Sequence, residues 1–210
     1  MGEAKRKTRN WSPFYQSLSP SERIAADAAR ATHDRFVAPA GAMGMCYRLA
    51  FFLTTYLQQE HDISTNAVVG YAHDQTSPLM ASHAWVEIEG KKTDLSLAFT
   101  EAPDIQLRGE VSIVDHVYKP GHRYAYHRER NDAANEVIRT MLDDPQCGLV
   151  VQQKEAEHAN MVKLSRNPVW MRQYPGRRTR RLQLRCACSI DPHLGATVSV
   201  KGTPSVSARG

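Results

Sequence analysis

The chain has 210 residues, 41% of them hydrophobic and 23% charged, with 27 Lys or Arg against 22 Asp or Glu for a formal charge of +5. That composition is ordinary for a soluble protein and the length suits one domain plus extensions. Apolar runs of 18 residues are missing, and MGEAKRKTRN has neither the apolar centre of a secretory leader nor, with Arg6 in place of Ser or Thr, a myristoylation signal.

A cytoplasmic chain whose four cysteines are free thiols is therefore expected. Residues 1–18 read as a basic arm. Lys5, Arg6, Lys7 and Arg9 face only Glu3 in its first ten residues, and Trp11, Phe14 and Tyr15 then supply an aromatic cluster that anchors the arm on a core. A first helix begins at Ser19, where Ser19, Pro20 and Glu22 spell a capping box with proline in the first turn. It runs through SERIAADAARATHDRFV with Ile24, Ala28 and Ala31 inward and stops before Pro39.

Gly41 and Gly44 suit a turn, and CYRLAFFLTTYLQQ then reads as a buried helix. Leu49, Phe52, Leu53, Tyr56 and Leu57 recur at helical spacing, and Ala50 and Phe51 widen the stripe. No side-chain cap precedes this helix. Cys46 falls in its first turn, where unsatisfied N–H groups and the positive end of the helix dipole favour a thiolate. A free cysteine at such a position also suits a core.

Residues 66–71 form a buried-strand candidate, and YAHDQTSPLMASH a polar loop with an exposed His73, one rim of a cleft. HAWVEIEGKKTDL predicts a hairpin in which His83, Trp85 and Glu87 share one strand face and Ala84, Val86 and Ile88 the other. With Glu89-Gly90 as a two-residue turn, Trp85 lies opposite Asp94, and Asp94 is the diagonal neighbour of His83, about 7–8 Å away by Cα. A turn centred on Gly90-Lys91 would set Asp94 opposite Glu87 and separate the pair.

Beyond the hairpin, GEVSIVDHVY predicts one further strand with Val111 and Ile113 on a face. YKPGHRYAYHRER, rich in Tyr, His and Arg, reads as a sheet edge in preference to a nucleic-acid surface. NDAANEVIRTMLDDP predicts an amphipathic helix capped by Asn131 or Asp132, with Ala134, Val137, Ile138, Met141 and Leu142 as its apolar face, and residues 152–163 a weaker helical extension.

The composition then shifts. Residues 163–210 hold ten Lys or Arg and one acid, whereas residues 1–162 hold 17 basic and 21 acidic residues. The expected organisation is a basic arm (1–18), a folded body (19–162) and a basic, unstructured tail (163–210). The tail allows a weak contact with nucleic acid or another acidic surface. Its CACS pair, with Cys147, His158 or His193, is a weak zinc signal because a second spaced pair is missing, so no metal or cofactor is expected.

Three residue types of complementary chemistry stand on consecutive elements: a thiol at a helix start, a histidine opening a strand, an aspartate on the next. A nucleophile needs a base, and the base needs a group that fixes its tautomer. Cys46 heading an apolar helix, followed by VVGY, HAWVE and DLS, resembles the transglutaminase-like superfamily over roughly residues 40–98. The short His-to-Asp hairpin is most similar to its compact bacterial branch, which includes proteases that cut leader peptides from lasso-peptide precursors. The resemblance implies an α+β fold with a papain-like core, an antiparallel sheet on the cysteine helix. It also implies Cys46 as nucleophile, His83 as base, Asp94 as orienting residue, and a peptide or protein substrate attacked at an amide or other acyl carbon. Alternatives are acyl or amine transfer on the same triad, a non-catalytic binding module using the basic tail, and a metal site with Cys46 and His83 as ligands.

Overall fold

The computed structural model describes residues 11–100 and 106–174. Its elements are helices α1 (Trp11–Ser17), α2 (Pro20–Thr32), α3 (Cys46–His61), α4 (Asp132–Asp143), α5 (Gly148–Ser165) and α6 (Pro168–Gln173), and strands β1 (Asn66–His73), β2 (Ala81–Ile88), β3 (Lys91–Thr93), β4 (Val111–Ile113), β5 (His116–Lys119) and β6 (Ala125–His127). The fold is α+β, with an antiparallel sheet ordered β3-β2-β1-β6 and a separate β4-β5 hairpin.

The expected arm is helical from Trp11, and its aromatic residues dock on the β4-β5 hairpin: Phe14 stacks on His116 at 4.2 Å and Trp11 meets Tyr118 edge-on at 5.3 Å. Residues 1–10 lie outside the described residues. The capping box at Ser19 forms in full. The inward face of α2 is Glu22, Ala25, Ala26, Ala29 and Thr32, not the expected Ile24, Ala28 and Ala31, and Ile24 is exposed. Small alanines let α2 approach the core closely, so they win the inner face from the larger isoleucine. The helical path does not stop before Pro39. A π-helical segment, His33–Val37, leads into a turn, Ala38–Ala40, that holds Pro39 in its first residues, where a missing N–H costs nothing, and ends at left-handed Gly41.

Helix α3 starts at Cys46 behind Met45, which offers no side-chain cap, and ends at left-handed Asp62. Its buried face is Tyr47, Ala50, Phe51, Leu53, Thr54 and Leu57, whereas Phe52 and Tyr56 are partly exposed and stack on each other. Of the expected stripe, Ala50, Phe51, Leu53 and Leu57 are buried and Leu49 packs on the core, whereas Phe52 and Tyr56 face out; the helix packs on β2, α2 and α6 together.

The hairpin forms in the expected register. Ile88 pairs with Lys91 and Val86 with Thr93, leaving Glu89 (φ 49°) and Gly90 (φ 79°) as the two-residue turn. Ala84, Val86 and Ile88 enter the main core with Phe51, Leu53 and Leu57. The single strand expected over GEVSIVDHVY is instead a hairpin turning at Val114 (φ 50°) and Asp115 (φ 61°). A β-branched residue resists that backbone. Here Val114 is fully buried and its N–H donates to Thr93 Oγ1 at 2.9 Å, while Asp115 exchanges two hydrogen bonds with the backbone of Lys92. Tertiary contacts outweigh the local preference.

Asn131 caps α4 as expected, but that helix buries only Ala134 fully. The body also continues past residue 162. Helix α5 runs unbroken to Ser165, and α6 lies against α3 with Met171 buried and the Tyr174 ring edge-on to Phe51 at 5.4 Å. Residues 163–174 thus belong to the helical body, and the remainder of the expected tail, 175–210, lies outside the described residues. Among the described residues, no helix is long and apolar enough to cross a membrane.

Candidate active site

Strand β2 carries His83 opposite Gly70 of β1. A Cβ on Gly70 would stand 2.3 Å from the His127 carbonyl oxygen and 2.9 Å from the Trp85 ring, so glycine there lets β6 and Trp85 close over the sheet. The chain leaves β3 at Asp94, whose backbone exchanges two hydrogen bonds with Ser112 of β4 (2.8 and 2.9 Å). The β4-β5 hairpin therefore fixes the main chain under the aspartate.

The Asp94 carboxylate is 2% exposed and accepts four hydrogen bonds. Oδ2 lies 2.6 Å from His83 Nε2 and 2.8 Å from the Tyr126 hydroxyl; Oδ1 accepts from the Ser96 N–H at 3.0 Å and the Ser96 hydroxyl at 2.8 Å. Burial alone would raise its pKa, but the His83 charge, the His83 hydrogen bond and those from Ser96 and Tyr126 hold the carboxyl below the ordinary range. Burial and the neighbouring Asp94 charge push the Tyr126 hydroxyl far up, which keeps it a donor.

His83 is 5% exposed. Burial opposes its charge, but Asp94 through charge and hydrogen bond, with the Cys46 thiol adding to both, lifts its pKa from 6.5 to about 10. Because Nε2 is committed to an ionised acceptor, Nδ1 is the nitrogen left for the thiol.

Cys46 is half-buried at the first position of α3. The first bond of that helix runs from Leu49 N–H to Met45 C=O, so the amides of Cys46 and Tyr47 precede the helical ladder and bring its positive end to the sulfur. Cys46, Leu49, Ala84, Trp85, Asp94 and Ser96 line a half-open space of about 10 Å³, room for about one water.

The structure thus brings together Cys46 at the start of α3, His83 on β2 and Asp94 just after β3. Sequence reasoning missed Tyr126 and Ser96. Ser96 had a local signal, since an Asp two residues before it can accept its N–H in an Asx-type turn. Tyr126 had none: it reaches Asp94 from β6, with its ring edge-on to Trp85 at 5.2 Å and the Lys92 ammonium 3.5 Å above it.

His73 is not exposed as expected. It is half-buried at the end of β1, its Nε2–H bonded to the Ser77 carbonyl at 2.7 Å, which folds the 74–80 loop on itself. Of the weak zinc set, Cys147 is buried with its thiol toward the Met141 carbonyl, and His158 sits eleven residues along the same helix, about 16 Å away. They do not converge, and Cys186, Cys188 and His193 lie outside the described residues. Among the described residues no group of three or more His, Cys, Asp or Glu is placed to hold a metal ion. Searches of protein-family models, curated proteins and solved structures found no match to this chain.

Proposed function

We propose that this chain is a transglutaminase-like cysteine enzyme with a papain-like catalytic core, acting on an amide bond of a peptide or protein through a thioester at Cys46. One observation carries the reading: a buried His83–Asp94 pair, its carboxylate held by four hydrogen bonds, beside a half-exposed thiol at a helix start. A cationic imidazole beside a cysteine favours the thiolate, the nucleophilic form.

The thiolate attacks the carbonyl carbon and the oxygen becomes an oxyanion, for which the Cys46 N–H is one donor. His83 gives its proton to the departing nitrogen, so an amine leaves and the thioester remains. His83, now neutral, takes a proton from water, whose oxygen attacks the thioester; the acid and the thiolate part, and the thiolate–imidazolium pair is restored. An amine in place of water would give acyl transfer from the same intermediate.

The test is the rate of Cys46 alkylation by iodoacetamide against pH, read at Cys46 by peptide mass spectrometry, in wild type and His83→Ala. Rapid alkylation well below pH 8 that His83→Ala removes supports the reading. Alkylation of both proteins as an ordinary thiol near pH 8.5 sinks it. A second readout is acetylation of Cys46 by p-nitrophenyl acetate, followed by release of acetate in water.

A further inference from the structure

A second polar cluster flanks the triad at the same junction. Cys46 and Tyr47 are neighbours on α3, and Ser82 and His83 are neighbours on β2. While Cys46 faces His83, the Tyr47 hydroxyl meets the Ser82 hydroxyl at 2.5 Å, and Ser82 Oγ meets His158 Nδ1 of α5 at 2.5 Å. Tyr47 (8% exposed) and His158 (9%) are buried, and Ser82 between them is half-buried. The His158 ring is held by stacking on Tyr71 at 4.5 Å, and the guanidinium of Arg130, itself bonded to Glu155 at 2.7 Å, lies 4.5 Å from the centre of the same Tyr71 ring.

We propose that Tyr47, Ser82 and His158 form a positioning chain that sets the first turn of α3, and with it the Cys46 thiol, against His83, and that protonation of His158 resets it. The inference rests on the cysteine-enzyme reading above. Two hydroxyls in a row between an imidazole nitrogen and a helix start have two polarities. With Nδ1 unprotonated, Ser82 donates to His158 and Tyr47 donates to Ser82, so the Tyr47 hydrogen points away from the thiol. With a proton on Nδ1 the order reverses: His158 donates to Ser82, Ser82 donates to Tyr47, and the Tyr47 hydrogen is released toward its surroundings.

Burial and then the Arg130 cation lower the His158 pKa and keep the ring neutral at neutral pH, and we assign its one proton to Nε2, which leaves Nδ1 to accept from Ser82. Glu155 on the same helix opposes that lowering while occupied by Arg130. The other elements against it offer Tyr71 from β1, Ser82 from β2 and Tyr47 from α3, none of them charged. Acidification therefore adds a cation next to Arg130 and reverses the chain.

The experiment uses the full chain and the rate of Cys46 alkylation by iodoacetamide from pH 4.5 to 9, read at Cys46 by peptide mass spectrometry. Tyr47→Phe and Ser82→Ala each lower the rate at pH 7 by about five- to tenfold, the worth of one net hydrogen bond, and the double variant lowers it no further than the larger single loss. The wild-type curve carries a step below the ordinary imidazole range that His158→Phe abolishes. His158→Asn, which offers Ser82 an amide but cannot titrate, restores the neutral-pH rate without restoring the step. Losses under twofold, losses that multiply in the double variant, or a step that persists in His158→Phe overturn the proposal. If His83→Ala slows alkylation while the chain variants do not, this inference fails and the triad stands; if no variant matters, His83→Ala included, both fail.

Discussion

At the scale of single residues, Asp94 determines what His83 can be. A carboxylate this deeply buried would be neutral without the four donors it accepts, and the imidazole would be neutral without the carboxylate. The two shifts act on stability at opposite ends of the pH scale. His83 has a folded pKa raised to about 10 from 6.5, so its contribution is complete below pH 6.5 and is lost as pH rises toward 10. Asp94 has a lowered pKa, so its contribution is present above 3.8 and is lost on acidification through the folded value. Asp94→Asn removes the source of the His83 rise. Thermal midpoints followed from pH 6.5 to 10 should fall with pH in the wild type and run nearly flat in this variant, and its Cys46 alkylation at pH 7 should drop by about a hundredfold or more. Tyr126→Phe keeps the ring against Trp85 and removes one donor to a charged group. It should cost about 1–2 kcal/mol at pH 7 by denaturant unfolding, with the gap to wild type closing below pH 4 as Asp94 protonates.

At the scale of elements, the site depends on a close approach that carries no chemistry of its own. Gly70 lets β6 lie on β1 and bring Tyr126 over the sheet; a methyl group there meets main chain at 2.3 Å, which cannot rotate away. Gly70→Ala should therefore destabilise by about 1–3 kcal/mol and also slow Cys46 alkylation, because β6 moves and takes the Tyr126 hydroxyl with it. Loss of stability with an unchanged alkylation rate at neutral pH would separate the two and reject the link. What was legible in the sequence follows the same division. The capping box at Ser19, the Glu89-Gly90 turn and the resulting approach of Asp94 to His83 are local, set by residues within a dozen positions of one another. The outward placing of Phe52 and Tyr56 on α3 was hidden because apolar residues lie on more than one side of the helix, and the turn at Val114 because a buried contact with Thr93 overrides the preference of a β-branched residue. Tyr126 was invisible because it lies 32 residues from the carboxylate it serves.

At the scale of the whole molecule, the segment after α4 is part of the architecture that holds Cys46 in place. Helix α5 ties to β1 through Tyr71 and His158, and α6 returns to α3, where Met171 is buried and Tyr174 meets Phe51. The charge shift near residue 163 masked this, since solvent-facing Lys163, Arg166 and Arg172 alternate with the inward Leu164 and Met171. Composition averages the two faces of a helix, whereas packing uses only one. Two truncations separate the readings. A chain ending at Tyr174 retains α6, and one ending at Ser165 loses the burial of Met171 and Tyr174, worth roughly 3–5 kcal/mol of apolar transfer as an upper bound. For a protein of this size that lowers the thermal midpoint by about 6–20 °C relative to the longer truncation. The shorter chain should also alkylate more slowly at Cys46, because α6 packs on the helix whose first turn presents the thiol. Equal midpoints for the two truncations would mean that α6 is an ornament on the body and that α3 is held by the sheet and α2 alone.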